Sequence, residues 1–154
     1  MKRVLPILFF VVLSLAVGYI SMLVQEPSMQ EWYPALVKSS LTPPPLVFAI
    51  VWPLLYILMG ISAGMLWNIR SIYRWLVLLL FFVQLGLNML WSLTFFGMQA
   101  PLLGLVVLVL LLSAVALYVT VAYMLNHVAA YLNYPYVAWL LFALYLNGYV
   151  AYYN

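Results

Sequence analysis

The side chains able to do chemistry in this sequence are mainly aromatic. Trp52, Trp91 and Trp139 each fall inside a long apolar stretch, and the amides Asn88 and Asn147 share helical faces with the last two. Indole and phenol rings hold flat molecules by stacking. They also give up an electron without help from an acid or a base. Composition closes the other routes. The 154 residues include no cysteine and no aspartate, and the two glutamates, Glu26 and Glu31, sit together in one polar stretch. Thiolate chemistry and disulfides are excluded, and no carboxylate pair, triad or histidine cluster can be assembled within the apolar stretches. His127, the single histidine, has no second His or Cys beside it, so a solvated loop residue is a simpler reading than an axial haem ligand. We expect no metal site and no obligatory cofactor.

The elements that position these residues are membrane helices. Hydrophobic residues make up 70% of the chain and charged ones 5%, with a mean hydropathy of +1.21. So small a volume cannot hide that much apolar surface from water. Apolar runs of roughly 20 residues, each long enough to cross the hydrocarbon core, recur along the chain. We expect an all-α integral membrane protein, a single bundle of five transmembrane helices at about 4–24, 46–68, 75–96, 102–125 and 135–152. A long lid loop should occupy 25–45. A cleaved signal peptide is the competing reading of the first run, but the run exceeds a usual apolar region and no small-x-small site precedes Gln25. The net charge of +3 is too scattered for nucleic acid. Lys2, Arg3, Arg70 and Arg74 fall on one side of the membrane, which puts the N-terminus in the cytoplasm and the C-terminus outside. The Lys-Arg start and the lack of a transit peptide suit a bacterial plasma membrane.

Spacing then selects faces. Ser14, Gly18 and Ser21 make a small-residue seam on the first helix, and Gly60 and Gly64 form a GxxxG pair on the second; both suit close helix contact, within the bundle or between subunits. Ser28 and Glu31 have capping-box spacing, so a short helix over 32–37 is expected. Three prolines, Pro43 to Pro45, stiffen the end of the lid. Phe48, Trp52 and Tyr56 recur every four residues as one stripe, with Pro53 loosening the turn beside it. Gln84, Asn88 and Trp91 share a face that must point into the bundle, because amides in hydrocarbon need partners. Trp67, Tyr73, Trp75, Tyr131, Tyr134, Tyr152 and Tyr153 sit where an interfacial belt belongs. Counting ~1.5 Å per residue, Trp52, Asn88 and Trp139 fall within ~11 Å of one another in depth. If their faces converge, they outline an aromatic slot for a flat, largely apolar molecule, with the amides fixing its polar edge. Ordinary interhelix packing would leave the same periodicity.

Several motifs match a known family. Trp32-Tyr33-x-x-Leu36-x-Lys38, Pro44-Pro45 with Phe48 and Val51-Trp52-x-x-Leu55-Tyr56-x-x-Met59-Gly60, Gln84-Leu85-x-Leu87-Asn88-x-x-Trp91-Ser92, and Pro135-Tyr136-x-x-Trp139-x-x-x-Ala143-x-x-Leu146-Asn147 occur in order. In this the chain resembles the TspO/MBR family, the tryptophan-rich sensory proteins related to the mitochondrial translocator protein. The resemblance implies a five-helix bundle, a homodimer, and a pocket beneath the first loop for porphyrins such as protoporphyrin IX. It assigns to that pocket Tyr33, Pro43, Pro44, Phe48, Trp52, Tyr56, Asn88, Trp139, Ala143 and Asn147, to which the residue pattern adds Trp91. It also implies light-driven porphyrin degradation, with Trp52 and Trp139 as the catalytic, redox-active pair. Three departures stand out. Ser39 replaces a loop proline, which should loosen the lid. Val107 stands where many relatives have an acidic residue. Residues 145–154 contain no Lys or Arg, which leaves the family's cholesterol pattern incomplete.

Three functions are consistent with these features. The leading one is a tetrapyrrole-binding membrane sensor. The alternative is a carrier of porphyrins, sterols or other lipids, without ion coupling, because no ionisable group lies in mid-span. The third is an interaction scaffold built on Gly60 and Gly64.

Overall fold

A backbone amide in hydrocarbon finds no water, so each apolar stretch must satisfy its hydrogen bonds within itself and folds as a helix. The computed structural model describes residues 4–154. Its elements are α1 (Val4–Gln30), a short α2 (Trp32–Ala35), α3 (Pro45–Trp67) and α4 (Arg74–Ser92), which continues as a π-helical turn over Leu93–Gly97. There follow α5 (Pro101–Leu125), a short α6 (His127–Tyr131) and α7 (Tyr134–Tyr153). The described residues give five segments long and apolar enough to span a bilayer. The protein is an all-α, multi-pass integral membrane protein. Lys2 and Arg3, which carry half of the orientation argument, lie outside the described residues.

Prolines mark several starts: Pro45, Pro101 and Pro135 sit in the first turns of α3, α5 and α7, where no N–H is needed. Pro27 and Pro53, by contrast, lie inside α1 and α3, which run on through them. The first helix thus extends past its expected end, and the capping box does not form. Ser28 is inside α1, and its hydroxyl donates instead to the Phe96 carbonyl at 2.6 Å. That carbonyl needs an outside donor, because the Ala100 N–H bonds Thr94 and Pro101 has none. Glu31 stands at the start of α2 without a side-chain cap. The open connection shrinks to residues 36–44.

The two small-residue motifs meet each other. A Cβ on Gly60 would overlap the Val11 backbone, and one on Gly64 would overlap Ile7, so α1 and α3 lie backbone to backbone at the end away from the lid. The Gly60–Gly64 pair is therefore filled within the chain. Ser14 and Ser21 are buried along the same seam, and α4 buries Gln84, Asn88 and Trp91. The aromatic residues expected in the interfacial belt are all exposed.

Candidate functional site

The site grows from the aromatic stripe of α3. Trp52 stacks on Tyr56 with ring centroids 5.9 Å apart, lies 6.0 Å from Trp91 of α4, and meets Trp139 of α7 edge-on at 6.4 Å. Phe48 packs against Trp139 at 5.7 Å. The π turn of α4 extends the layer, because it turns Phe95 and Phe96 inward together; Phe95 stacks on Trp91 at 5.8 Å. The three tryptophans do converge, with the Trp52 ring packed against both Trp91 and Trp139. The space expected between them is filled, so they form a wall rather than the two sides of a slot.

Hydrogen bonds fix this wall. Tyr56 donates to Asn88 Oδ1, and Asn88 Nδ2 donates to the Tyr136 hydroxyl at 3.0 Å. Trp91 Nε1 donates to Asn147 Oδ1 at 3.1 Å, while Asn147 Nδ2 reaches the Pro101 carbonyl at 2.8 Å. The two amides assigned to a ligand's polar edge are thus committed to holding aromatic side chains and a helix start in place. Gln25 of α1 donates to Ser92 at 2.9 Å, joining α1 to α4 above the tryptophans.

The open space lies beside the wall. A cavity of about 660 Å³ sits between α1 and α3, backed by Trp52, Tyr56, Asn88 and Trp91. Its volume is in the range of small-molecule sites, roughly 300–1,000 Å³. Gly18, whose missing side chain leaves room for the Tyr56 ring, lies on its lining, and the exposed residues Tyr19, Met22, Ala49 and Pro53 bring it to the lipid-facing surface. A second, smaller space of about 60 Å³ lies under the lid, against Tyr33, Phe95, Phe96, Ala143 and Asn147. Phe48, Trp52 and Trp91 line both.

Of the residues assigned in advance, Tyr33, Phe48, Trp52, Tyr56, Asn88, Trp91, Ala143 and Asn147 border one space or the other. Trp139 borders neither and stands behind Phe48 and Trp52. Pro43 and Pro44 also border neither; Pro45 does. The α1 lining, with Ser21, Met22, Gln25 and Met29, escaped the sequence reading. Its signal was the Ser14–Gly18–Ser21 seam, which packs against α3 at one end and borders the cavity at the other. His127 is exposed and stacks on Tyr123 at 4.2 Å.

The lid is held from three sides. Lys38 Nζ donates to the Tyr33 and Pro34 carbonyls at 2.7 and 3.1 Å, closing the end of α2. Tyr33 is half-buried there, and burial raises its phenol above the usual value, so it stays neutral. Ser39 is buried and bonds the Tyr145 hydroxyl at 2.9 Å. The Asn154 carboxamide pairs with both backbone groups of Val37, at 2.9 and 3.1 Å. Ser39 in place of proline therefore ties the lid down, where a looser lid was expected.

The sequence that builds this five-span bundle matches known proteins along most of its length. The model of the TspO/MBR family fits residues 10–153. The chain belongs to the TspO/MBR family. It is 40% identical over 146 residues to the tryptophan-rich protein TspO of Archaeoglobus fulgidus, covering 94% of each chain. The TspO of Chlorobaculum tepidum is 37% identical over 150 residues, covering 95% of this chain and 94% of its own. Beyond prokaryotes, the human translocator protein is 36% identical over 119 residues, covering 75% of this chain and 70% of its own. TspO/MBR membership thus rests on matches along nearly the whole bundle.

Proposed function

We propose that this protein is a TspO-type membrane receptor for flat, largely apolar tetrapyrroles such as protoporphyrin IX. The observation that carries the reading is the cavity of about 660 Å³ between α1 and α3, backed by the Trp52 and Trp91 indoles. An aromatic macrocycle stacked there exchanges lipid contact for ring contact, and such a ring pair contributes about 0.5–1.5 kcal/mol beyond area. The same wall supports light-dependent porphyrin oxidation. The excited ring would take one electron from Trp52, and Trp139, 6.4 Å behind it, would refill that indole, so that the hole rests on Trp139. Dissolved dioxygen is the oxidant: the reduced ring would pass its extra electron to it, and the superoxide formed, together with the hole on Trp139, would oxidise the macrocycle and restore the tryptophan.

A titration with protoporphyrin IX tests both parts. We expect saturable quenching of tryptophan fluorescence in the dark, then bleaching under light faster than in protein-free micelles. Trp52→Phe combined with Trp139→Phe keeps an aromatic ring at each position, so binding should weaken by no more than about tenfold, while at porphyrin saturation the bleaching should slow to the micelle rate; unchanged bleaching removes the redox role. Without saturable quenching, the cavity is not a tetrapyrrole site. The carrier reading draws support from the cavity's reach to the lipid-facing surface, and porphyrin flux in proteoliposomes above empty vesicles would favour it.

A further inference from the structure

The lining of the large cavity is uneven in charge. Its body is aromatic and aliphatic, with neutral Ser21, Asn88 and Ser92 at depth. At the lid end the lining gains Glu26 and Gln30, from the last turns of α1. Among the described residues, Glu26 is the one charged side chain on the lining of either space. It is exposed, and among the described residues it makes no ion pair. No cation balances it from the lid, because Lys38 is turned onto the Tyr33 and Pro34 carbonyls and the Tyr33 ring. Arg74 lies at the start of α4, at the other end of the bundle from the lid, over the Trp75 ring.

A flat amphiphile enters such a site with its apolar body against the tryptophans and its polar edge toward the lid end, where the lining turns polar, since polar groups are costly to bury without partners. That edge then faces Glu26. We propose that Glu26 is a charge selector, which makes the site prefer flat ligands with a neutral or cationic polar edge over dianionic ones. The inference rests on the reading of this cavity as the ligand site: protoporphyrin IX binds there, but less tightly than a ligand with the same flat body and no negative charge. Two like charges about 5 Å apart in a watery interface repel enough to change affinity about threefold, and two ligand carboxylates bring the effect to about tenfold. Salt screens such an interaction.

The test compares protoporphyrin IX, whose two carboxylates are ionised at pH 8, with its neutral dimethyl ester, by quenching of tryptophan fluorescence. We expect Glu26→Gln to tighten the dianion about three- to tenfold and to leave the diester unchanged, and Glu26→Lys to tighten the dianion further. Both gains should shrink in 1 M salt, where the screening length falls to about 3 Å. Glu31→Gln, a nearby carboxylate off the lining, should change neither ligand. The selector is overturned if Glu26→Gln leaves the dianion's affinity as it was, or shifts both ligands alike. Saturable binding of neither porphyrin, in wild type and variants, would overturn the ligand site itself and the selector with it.

Discussion

Asn88 is a single amide with two phenols on it, and that arrangement makes it the residue whose loss should be felt most. It is 1% exposed and bonds the phenols of both Tyr56 and Tyr136. Asn88→Ala strands two buried hydroxyls, each worth about 1–3 kcal/mol when left unpaired. We expect a marked drop in the thermal midpoint in detergent. Asn88→Leu with Tyr56→Phe and Tyr136→Phe removes every polar member and should recover most of it. A single Asn88→Ala variant as stable as wild type would show that water replaces the amide. The sequence placed Asn88 inside the bundle, since an amide in hydrocarbon must be paired. It could not say with what, because the partners, 32 and 48 residues away, are set by helix register. The same limit hid the bond that Asn147 accepts from Trp91.

At the scale of elements, α1 and α3 touch through glycine at one end and part at the other. Gly60→Val would drive a side chain into the Val11 backbone, which cannot yield without moving α1. We expect that variant to lose the folded protein in size-exclusion and thermal assays. Gly86→Ala is the control: nothing lies within 4 Å of its new methyl group, and alanine favours the helix by up to about 1 kcal/mol. Equal effects of the two would mean that the close contact does not hold the bundle. The spans were legible from hydropathy because each stretch must satisfy its own backbone. The end of α1 was not. The capping-box pattern of Ser28 and Glu31 pointed to a new helix start, while the donor needed by Phe96 lies outside any local window. The π turn, in which the Thr94 hydroxyl bonds back to Leu90 and Trp91, was hidden too.

At the scale of the whole molecule, the lid and α7 act as one unit. Val37 and Ser39 are tied to Asn154 and Tyr145 across more than a hundred residues of sequence. Ser39→Ala with Asn154→Ala should free residues 36–44 and raise protease cleavage there by about a hundredfold, given about 1 kcal/mol for each of the three bonds lost. Ser113→Ala, which removes only a local helix bond, should not. Cleavage unchanged in the double variant would place the lid's anchorage at Lys38. No sequence pattern links 39 with 145, so this tether became legible only in three dimensions. The large cavity, meanwhile, meets the lipid-facing surface between α1 and α3. Its ligand would then be drawn from solution in the bilayer, so occupancy should follow mole fraction in lipid and not molarity in water. Adding empty vesicles at fixed protein and fixed total ligand would strip the site by dilution, and two laboratories using different lipid ratios would measure different apparent affinities for the same intrinsic one.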